Sequence, residues 1–457
     1  MSTEFHEEKI SGWGRFRPTR SDVAWPERRG EVTEIMSRMQ PAPNGVIARG
    51  TGLSYGDPAV NTGGHVIAMG KYNRILNFDP ATGHIRCEAG VTLSQIFDTA
   101  VQHGWFVYVT PGTSRLTVGG AFGCDIHGKN HPTAGSFAQH VLSATILTGT
   151  GDIVTCGPDK EPDLFWATAG GIGLTGIILE MTIELQRIET AKMISHKVVT
   201  RDLEDTFAKI QEYSNATYSI AWMEGVRRGA KRGRGFLMMA EHAKLSDLPP
   251  QDRADPLAAK RHPKKSLRFG IPSPLIRRPV ALAFNEIVYR HYLRSAGKPQ
   301  FVPLKDYFYF LDTYDNWTRL YGGGGFIEYQ VLLPMEKAYD AVKKMLDIYD
   351  KAGVLSFLTS MKRLGKSNRG YMSFPTPGLL FSVDIPAGRE RTLAALDRCD
   401  EIVRDVGGRH YVAKDGRADG AFFRSMYPQY GKWLDIVRRY DPKGMFSSNM
   451  SRRLGLR

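Results

Sequence analysis

Short apolar runs alternate with glycine-rich turns over the first 190 residues of the chain. The apolar residues at 46–49 and 65–69 predict two strands. Thr92 and Gln95 have the spacing of a capping box, which predicts the start of an amphipathic helix. That helix is expected to end at Gly104, because glycine is favoured just after a helix. This part of the chain is therefore expected to hold short strands and an occasional helix.

Longer apolar segments replace this pattern between about 192 and 408. They predict strands at 326–332, 355–362 and 379–385, and helices at 334–353 and up to Gly407. Strands that alternate with helices in this way predict one curved sheet, antiparallel or mixed, with helices on one face.

Alternation along these strands predicts which face of the sheet the helices cover. Ile327, Tyr329 and Val331 share one side of their strand, so this apolar side is expected to carry the helices. The polar residues that point to the other side are Glu328, Gln330, Lys362, Ser382 and Asp384. This polar face either forms a substrate wall opposite the first part of the chain or simply meets water.

Composition excludes several classes of protein. The 457 residues are 42% hydrophobic and 24% charged, which excludes a disordered chain and a coiled coil and suggests two or three domains. The four cysteines are scattered without a C-x-x-C pair, so neither a disulfide framework nor a metal site is expected. The N-terminus is acidic and no apolar run approaches a membrane span, which predicts a cytoplasmic protein.

Most of the excess positive charge lies in one segment. The chain carries 61 Lys and Arg against 47 Asp and Glu, and residues 227–298 alone contain 17 basic and 5 acidic residues. The Pro and Gly content of this segment predicts a long mobile insertion rather than a regular element. The segment is either a solvated loop, a surface for anionic lipid headgroups or, as a third choice, a nucleic-acid contact.

Three glycine-rich clusters, at 49–56, 111–121 and 164–176, carry the candidate chemistry. The first cluster follows a strand but also precedes one, whereas a Rossmann fingerprint must open a helix. Its backbone N–H groups can instead converge on an anion. Three such clusters in one part of the chain are hard to explain as turns alone.

Together with Lys414 and the segment 441–446, these clusters resemble the vanillyl-alcohol-oxidase type of FAD-binding fold. The resemblance implies an α+β protein in which the first cluster binds the pyrophosphate and the other two line the adenine and the isoalloxazine. It implies an FAD-binding domain that begins at 1–191, a substrate-binding domain at 192–408 and a return to the FAD-binding domain at 409–457.

The sequence Cys-Asp-Ile-His-Gly-Lys-Asn-His at 124–131 narrows the resemblance, because it is long and unusual. With 411–415 and 450–454, it is similar to the flavoprotein components of decaprenylphosphoryl-ribose 2′-epimerases. That family implies oxidation of the 2′-hydroxyl of a polyprenylphosphoryl-β-D-ribose, followed by a separate NAD(P)H-dependent keto-reductase. The basic segment 227–298 would then hold a cytoplasmic protein peripherally on the anionic inner membrane, with no nucleic acid as partner.

The resemblance also implies which residues carry the chemistry. Lys414 and His127 match catalytic positions, with Lys414 as charge stabiliser or base. From the residues alone, the alternatives are a surface lysine at a strand end and a hydrogen-bonded core histidine. The implied cofactor-binding residues are Arg49, Gly50, Thr51, Gly52, Leu53, Ser54, Tyr55, Pro111, Gly112, Thr113, Thr117, Val118, Gly119, Gly120, Cys124, His127, Gly128, Ala134, Gly173, Gly176, Ile177, Tyr411 and Lys414. The implied substrate-binding residues are Tyr55, Lys129, Trp222, Glu328, Gln330, Lys362, Ser382 and Lys414.

Three positions qualify this resemblance. Leu53 stands where covalently flavinylated relatives have a histidine, which implies non-covalent FAD, although attachment through a cysteine stays open. Ser382 replaces a cysteine and Glu328 replaces a glutamine of the family pattern. Hydride transfer needs neither a thiol nor an amide, so activity is expected to survive, while the identity of the lipid or sugar stays open.

Two other functions stay open at this point. The first is an FAD-dependent oxidase of the same fold that acts on a soluble polyol or aldonolactone, for which the basic segment would have no evident purpose. The second is a basic nucleic-acid-binding protein, which would be colourless when purified. Flavin colour separates the enzymes from the nucleic-acid-binding protein.

Overall fold

A computed structural model describes residues 3–259, 265–266, 270, 277–387 and 390–456. Its first sheet contains β1 (His6–Ile10), β2 (Thr19–Ala24), β3 (Val46–Arg49) and β4 (His65–Ala68), and helix α1 (Arg29–Arg38) connects β2 to β3. β4 lies between β2 and β3 and is parallel to both, while β1 is antiparallel to β2. The two strands predicted at 46–49 and 65–69 are confirmed, and the first glycine cluster begins where β3 ends.

The second sheet is antiparallel and contains β5 (Ile75–Asp79), β6 (His84–Glu88), β7 (Trp105–Val107), β8 (Val141–Leu147), β9 (Ile153–Cys156) and β10 (Ile177–Arg187). Between β6 and β7, helix α2 (Leu93–Ala100) begins with the predicted capping box. The Thr92 hydroxyl accepts a hydrogen bond from Gln95 N, and the Gln95 side chain accepts one from Thr92 N. A short 3-10 turn follows, and Gly104 ends it with φ +77°, so both signals are confirmed.

The second glycine cluster leads into the short helix α3 (Val118–Gly123), and the third follows from α5 (Pro162–Thr168); α4 (His131–Ala134) lies between them in the chain. At the start of α3, the Thr117 hydroxyl accepts a hydrogen bond from Gly120 N at 3.2 Å. A Cβ on Gly50 would lie 2.2 Å from the same hydroxyl, so the first cluster passes α3 only as glycine. After α5, Ile172 and Gly173 both have positive φ. The clusters therefore form tight turns beside one another.

From Lys192 onward the strands build a third, larger sheet. The strands described there are β11 (Lys192–Thr200), β12 (Tyr218–Met223), β13 (Gly235–His242), β14 (Lys265–Ser266), β15 (Gln300–Pro303), β16 (Tyr314–Asp315), β17 (Phe326–Leu333), β18 (Thr359–Leu364), β19 (Gly378–Pro386) and β20 (Arg409–His410). The sheet has the order β15-β11-β13-β12-β18-β19-β17-β20, and each neighbouring pair is antiparallel. Of the two predicted arrangements, the antiparallel one is present.

Most helices in this part of the chain cover one face of this sheet, whereas the helices at 278–293 and 304–308 lie against the opposite face, where Tyr289 stacks on Phe236 and Phe308 contacts Tyr218. The helices in this part are α6 (Leu203–Glu212), α7 (Arg278–Leu293), α8 (Leu304–Phe308), α9 (Met335–Ala352) and α10 (Glu390–Val406). Tyr329 of β17 donates its hydroxyl proton to Asp400 of α10 at 2.9 Å, whereas the next residue, Gln330, contacts His127 from the opposite face. The alternation predicted along β17 is confirmed. Among the described residues, no helix is both long and apolar enough to cross a bilayer.

The segment 227–298 contains regular elements, so the prediction of a mobile insertion is wrong for its described part. β13 pairs with β11 along its whole length and with β12, and α7 occupies 278–293. The basic residues at 227–234 stand directly before the apolar run of β13, which packs inside the sheet. The basic cluster at 260–264 lies outside the described residues, as do 267–269 and 271–276.

The strand predicted at 355–362 begins later than expected, at Thr359 of β18. Leu355 and Phe357 do not extend this strand, because they pack in an aromatic cluster with Tyr55 and Phe326. Since Tyr55 belongs to the first glycine cluster, this packing joins the larger sheet to the first part of the chain.

After β20 the chain runs back to the first sheet through α11 (Gly420–Ser425), α12 (Tyr430–Tyr440) and α13 (Asn449–Leu454). Val46 N of β3 donates to Met445 O at 2.8 Å, and Ser447 N donates to Val46 O at 2.9 Å. β20 itself pairs with β17 of the larger sheet. The domain limits at 191 and 408 stay predictions.

Arg453 of α13 ties this return to the first glycine cluster. Its guanidinium lies 2.8 Å from both Asp57 Oδ1 and Asp415 Oδ2. Burial alone would raise the pKa of the Asp415 carboxyl, but Arg453 lowers that pKa to about 2, below its ordinary value of 3.8. The ion pair therefore stabilises the fold above about pH 4, and this contribution is lost as the pH falls toward 2.

The substitution Arg453→Met should lower the free energy of unfolding by about 3–5 kcal/mol at neutral pH, because it leaves the Asp415 carboxylate buried without its partner. Unfolding in urea measures the change. Arg438→Met is the matched control, since Arg438 is exposed and lies 4.0 Å from Asp435. That control should change the free energy by less than about 0.5 kcal/mol. Equal losses in the two variants would contradict the role given to Arg453.

Candidate active site

A groove runs between the three glycine clusters. Its walls come from 48–54 at the end of β3 and beyond it, from 116–124 around α3 and from 172–178 at the start of β10. Ala59 and Ala89 add further small side chains to the lining. Because main chain and small side chains form most of these walls, the groove leaves room for a flat ring system and a diphosphate.

Gly123 shows that the groove is shaped for a ligand. Gly123 is buried at the end of α3, yet a Cβ added there would have no other atom within 4 Å. Protein interiors are close-packed, so open space beside a buried residue needs an occupant. The open space is the groove, and the residues that line it fit a planar, phosphate-bearing cofactor such as FAD.

A second cavity continues the groove. Leu53, Gly120 and Cys124 line both spaces, so a ligand in the groove can be reached from the cavity. The far wall of the cavity is the polar face of the larger sheet. The polar side chains that this wall contributes are Glu328, Gln330, Ser360, Lys362 and Ser382. The sheet face therefore meets a cavity and not bulk water, as one of the two predicted arrangements requires.

Lys414 projects from the loop after β20 into this cavity. Its Nζ lies 2.7 Å from Glu328 Oε2 and 3.7 Å from the centroid of the Tyr55 ring. The other carboxylate oxygen of Glu328 accepts a hydrogen bond from Ser382 Oγ at 2.7 Å. The ammonium group is thus held by a carboxylate on one side and an aromatic face on the other.

His127 lies in the same cavity with one ring nitrogen free. Gln330 Nε2 lies 3.2 Å from His127 Nε2, and an amide nitrogen can only donate, so His127 Nε2 accepts and Nδ1 carries the hydrogen. His127 Nδ1 is buried without a hydrogen-bond partner among the described residues. Burial, with the positive charge of Lys362 nearby, holds the pKa of His127 well below its ordinary value. The ring is therefore neutral and offers an N–H group to a ligand.

Asp125 holds the loop that carries His127. It is fully buried with φ +40°, and it accepts hydrogen bonds from Ala138 N, Asn368 Nδ2 and the hydroxyl groups of Ser136 and Ser373. Burial raises the pKa of the Asp125 carboxyl, and these four donors act against that rise. The contacts fix the loop to the 368–373 segment, which positions His127.

Cys124 lines both the groove and the cavity. Burial raises the pKa of its thiol to about 11, against the opposing hydrogen bond from Ser54. The thiol is therefore neutral at ordinary pH, and a neutral thiol is a poor nucleophile. Among the described residues, the other three cysteines are buried away from this site.

Two further lysines line the cavity. Burial lowers the pKa of Lys129 to about 7, and burial lowers that of Lys362 to about 8. The positive charge of Lys362 also lowers the pKa of Lys129, and that of Lys414 also lowers the pKa of Lys362. The cavity is therefore rich in positive charge.

Most of the predicted site residues lie at the groove or the cavity. The predicted cofactor-binding residues found there are Arg49, Gly50, Thr51, Gly52, Leu53, Ser54, Tyr55, Pro111, Gly112, Thr113, Thr117, Gly119, Gly120, Cys124, His127, Gly173, Gly176, Tyr411 and Lys414. The predicted substrate-binding residues found there are Tyr55, Lys129, Glu328, Gln330, Lys362, Ser382 and Lys414. Their individual roles stay predictions.

Five predicted residues line neither space, namely Val118, Gly128, Ala134, Ile177 and Trp222. Val118 and Ile177 are buried in the core, and Ile178 faces the groove instead of Ile177. Gly128 and Ala134 pack against Asn130.

Trp222 belongs to a stack of rings at one side of the cavity. It stacks on Phe236 at a centroid distance of 5.5 Å, and Phe236 stacks on Tyr289 of α7 at 5.1 Å. Trp222 therefore packs among the aromatic rings next to α7. Ile220 of the same strand lines the cavity instead.

Several residues of the site were not predicted. Gly123 lies between the second glycine cluster and the motif at 124–131, and Asp125 lies inside that motif without having been given a role. Only their positions beside or inside these patterns could have identified Gly123 and Asp125 as site residues. Phe310 and Leu311 line the cavity from a segment that has no motif.

Two family models match the parts of the chain that build the site. A model described as an FAD binding domain matches residues 21–157, which contain the first two glycine clusters. A model described as D-arabinono-1,4-lactone oxidase matches residues 327–454, which contain the polar sheet face and Lys414. The fold and the site define an FAD-dependent oxidoreductase of the vanillyl-alcohol-oxidase type, which confirms the predicted fold class and cofactor.

Similarity to individual proteins narrows the class of oxidoreductase further. The chain is 40% identical to decaprenylphosphoryl-β-D-ribose oxidase of Mycolicibacterium smegmatis, over 100% of this chain and 99% of the relative. It is 33% identical to an uncharacterized protein of Streptomyces coelicolor, over 80% of this chain and 100% of that relative. It is 30% identical to L-gulonolactone oxidase of Mus musculus, over 41% and 43% of the two chains. The chain belongs to the decaprenylphosphoryl-β-D-ribose oxidase family, which confirms the predicted resemblance.

The substitution Gly123→Val should reduce the ratio of bound FAD to protein roughly tenfold or more, because the added side chain would occupy the groove. The flavin absorbance of the purified protein measures this ratio. Gly431→Val is the matched control, since a Cβ at Gly431 also meets no atom within 4 Å but Gly431 is exposed on α12. Gly431→Val should stay as yellow as the parent protein. A folded, fully yellow Gly123→Val variant would show that the groove does not hold the flavin.

Proposed function

We propose that the protein oxidises the 2′-hydroxyl of a polyprenylphosphoryl-β-D-ribose to the 2′-keto sugar. This is the first half of an epimerisation that yields an arabinose donor for cell-envelope glycans. The observation that carries the proposal is the continuity of groove and cavity at Leu53, Gly120 and Cys124. A cofactor in the groove and a sugar in the cavity would meet at these residues, within reach of Lys414. The whole-length relative, an oxidase of decaprenylphosphoryl-β-D-ribose, supports the same reaction.

Bound FAD would supply the hydride acceptor in this reaction. The chain's own residues must then hold the sugar and balance the developing charge. The Lys414 side chain lies 2.7 Å from the Glu328 carboxylate, and it is proposed to stabilise negative charge rather than to act as a base. The free N–H group of His127 is proposed to donate a hydrogen bond in the same cavity.

The two departures from the family pattern compensate for each other. The hydroxyl group of Ser382 donates to the Glu328 carboxylate, whose other oxygen faces Lys414. Both oxygens of Glu328 are therefore satisfied, and its negative charge is balanced inside the cavity. This arrangement removes the expected conflict between Glu328 and the phosphate of the substrate, which favours a phosphate-bearing substrate despite the departures.

The FAD is proposed to be bound without a covalent link. Leu53 has no nucleophile, and the neutral Cys124 thiol is a poor one. Precipitation of the yellow protein with acid should leave its flavin in the supernatant. Flavin that stays with the precipitated chain would contradict this proposal.

The proposed product needs a partner enzyme. A 2′-keto sugar becomes the epimer only when a hydride is returned to the opposite face of the ring. We therefore propose that a separate NAD(P)H-dependent keto-reductase takes up this product.

The basic segment 227–298 is proposed to contact an anionic membrane. Fewer of its positive charges are available for this contact than its sequence suggests, because many of them form ion pairs. Its described basic residues that pair with carboxylates are Arg227, Arg228, Arg232, Arg234, Arg278 and Arg290. Arg294 and Lys298 form no ion pair within the described residues, and they follow α7, where Ile287 is 69% exposed and Leu293 47%. Basic and apolar side chains on one surface suit the interface of an anionic bilayer.

Anaerobic mixing with a short-chain polyprenylphosphoryl-β-D-ribose should bleach the flavin absorbance of the protein, because the sugar would transfer its hydride to FAD. L-Gulono-1,4-lactone, the substrate type of the rival enzyme, should leave the flavin oxidised. Lys414→Met should slow bleaching by the lipid roughly 100-fold or more, because a charge stabiliser is lost. Lys366→Met, which changes an exposed lysine, serves as control. Bleaching by the lactone but not by the lipid would replace the proposed substrate.

Removal of the two charges that follow α7, in Arg294→Gln/Lys298→Gln, should weaken binding to vesicles with anionic lipid roughly 30-fold, at about 1 kcal/mol for each charge. Co-sedimentation measures the binding, which should also weaken as salt rises. Arg228→Gln removes an exposed basic residue that is already paired with Asp350, and should have a smaller effect. Salt-independent binding, or none, would contradict the membrane contact.

A further inference from the structure

Lys129 and Lys362 reach the cavity from two different elements. Lys362 lies on β18, on the same face as Ser360, and Lys129 lies in the loop between α3 and α4. Both line the cavity, and neither lines the groove. An anion held between these lysines would therefore belong to a ligand in the cavity and not to the cofactor in the groove.

The balance of charge leaves these two lysines without an ion pair of their own. Among the described lining residues, the cavity has three lysines and one carboxylate, Glu328. Glu328 is paired with Lys414, and its charge only partly opposes the effect of burial on the pKa of Lys362. Neither Lys129 nor Lys362 forms an ion pair within the described part of the chain. Partly buried lysines are normally paired, so this wall is complementary to an anion.

The ammonium group of Lys129 is fixed in place. Lys129 Nζ donates to Tyr307 O at 2.5 Å and lies 4.0 Å from the centroid of the Tyr307 ring. At the other end of the residue, Lys129 O accepts a hydrogen bond from Ser219 N of β12 at 3.0 Å. An ammonium has three N–H donors, so two remain for a ligand. The group is therefore positioned before a ligand arrives.

The charged form of each lysine is disfavoured where it stands. Burial lowers the pKa of both, and the positive charge of Lys362 adds to the effect at Lys129. An anion between them would favour both ammonium forms and offset the cost of placing two like charges at one wall.

We propose that Lys129 and Lys362 form the subsite for the phosphodiester that joins the ribose to the polyprenyl chain. This inference rests on the proposed function, since it assigns a place to one part of that substrate. The ribose would then lie toward Lys414. The chain would leave past Phe310, which is 43% exposed and whose ring centroid lies 5.7 Å from Lys129 Nζ.

Steady-state kinetics of the FAD-loaded enzyme test this subsite with Lys129→Gln and Lys362→Gln. Each substitution should raise the KM for a short-chain polyprenylphosphoryl-β-D-ribose roughly 10- to 100-fold, because each removes a charged hydrogen bond to phosphate. The kcat should stay within about threefold, since neither lysine is proposed to act on the reacting hydroxyl. Lys197→Gln is the matched control, because Lys197 is a partly buried lysine of the same sheet, beside the Tyr292 ring, outside the cavity.

Inorganic phosphate provides a readout that does not depend on turnover. It should change the flavin absorbance of the parent enzyme as it binds, and compete with the lipid, and it should do neither in the two glutamine variants. Lys362→Arg should recover part of the phosphate binding, because it restores the charge.

The outcomes separate the subsite from the reaction. If the lipid is oxidised with the same KM in both glutamine variants as in Lys197→Gln, the subsite is wrong and the reaction stands. If only unphosphorylated sugars are oxidised but phosphate still binds in a manner that needs both lysines, the reaction is wrong and the anion subsite stands. If the lipid is not oxidised and phosphate does not bind, both are wrong.

Discussion

The site depends on one close contact between the first glycine cluster and the loop after β20. Tyr55 N donates to Ala413 O at 2.9 Å, and a Cβ on Gly56 would lie 1.4 Å from the carbonyl oxygen of Asp415. A larger residue at Gly56 would therefore push the two loops apart. Their contact places Lys414 over the Tyr55 ring and against the larger sheet. Three segments that are distant in sequence thus meet at one ammonium group.

The cavity gathers more positive charge than its own carboxylate can balance. Burial lowers the pKa of Lys129 to about 7 and that of Lys362 to about 8, which means that each charged form is disfavoured where it stands. Such a group of residues does not help the chain to fold. The expected ligands are anions, so they supply the charge that the protein leaves out. The cavity is therefore expected to be less stable empty than filled.

Local sequence patterns predicted those parts of the site that follow the period of a strand or recur as glycine-rich clusters. Glu328 and Gln330 were placed on the cavity face because a strand has a period of two residues. The roles of Gly123 and Asp125 were not predictable in this way, since they arise from space and contacts supplied by residues far away, such as Asn368. β13 was missed because basic residues precede it, although its own residues are mostly buried. Sequence patterns therefore predict helices and strands. The spaces between them depend on how these elements pack, which the sequence patterns do not give.

The distribution of charge along the cavity also bears on selectivity. Where Lys414 and Glu328 meet, their charges cancel, so a neutral sugar ring loses little there. Lys129 and Lys362, by contrast, form no ion pair within the described part of the chain. A neutral lactone would leave both of these lysines without a partner, whereas a sugar phosphodiester would pair with them. Selectivity is a difference between affinities, so the unpaired lysines disfavour the neutral ligand as effectively as a clash would.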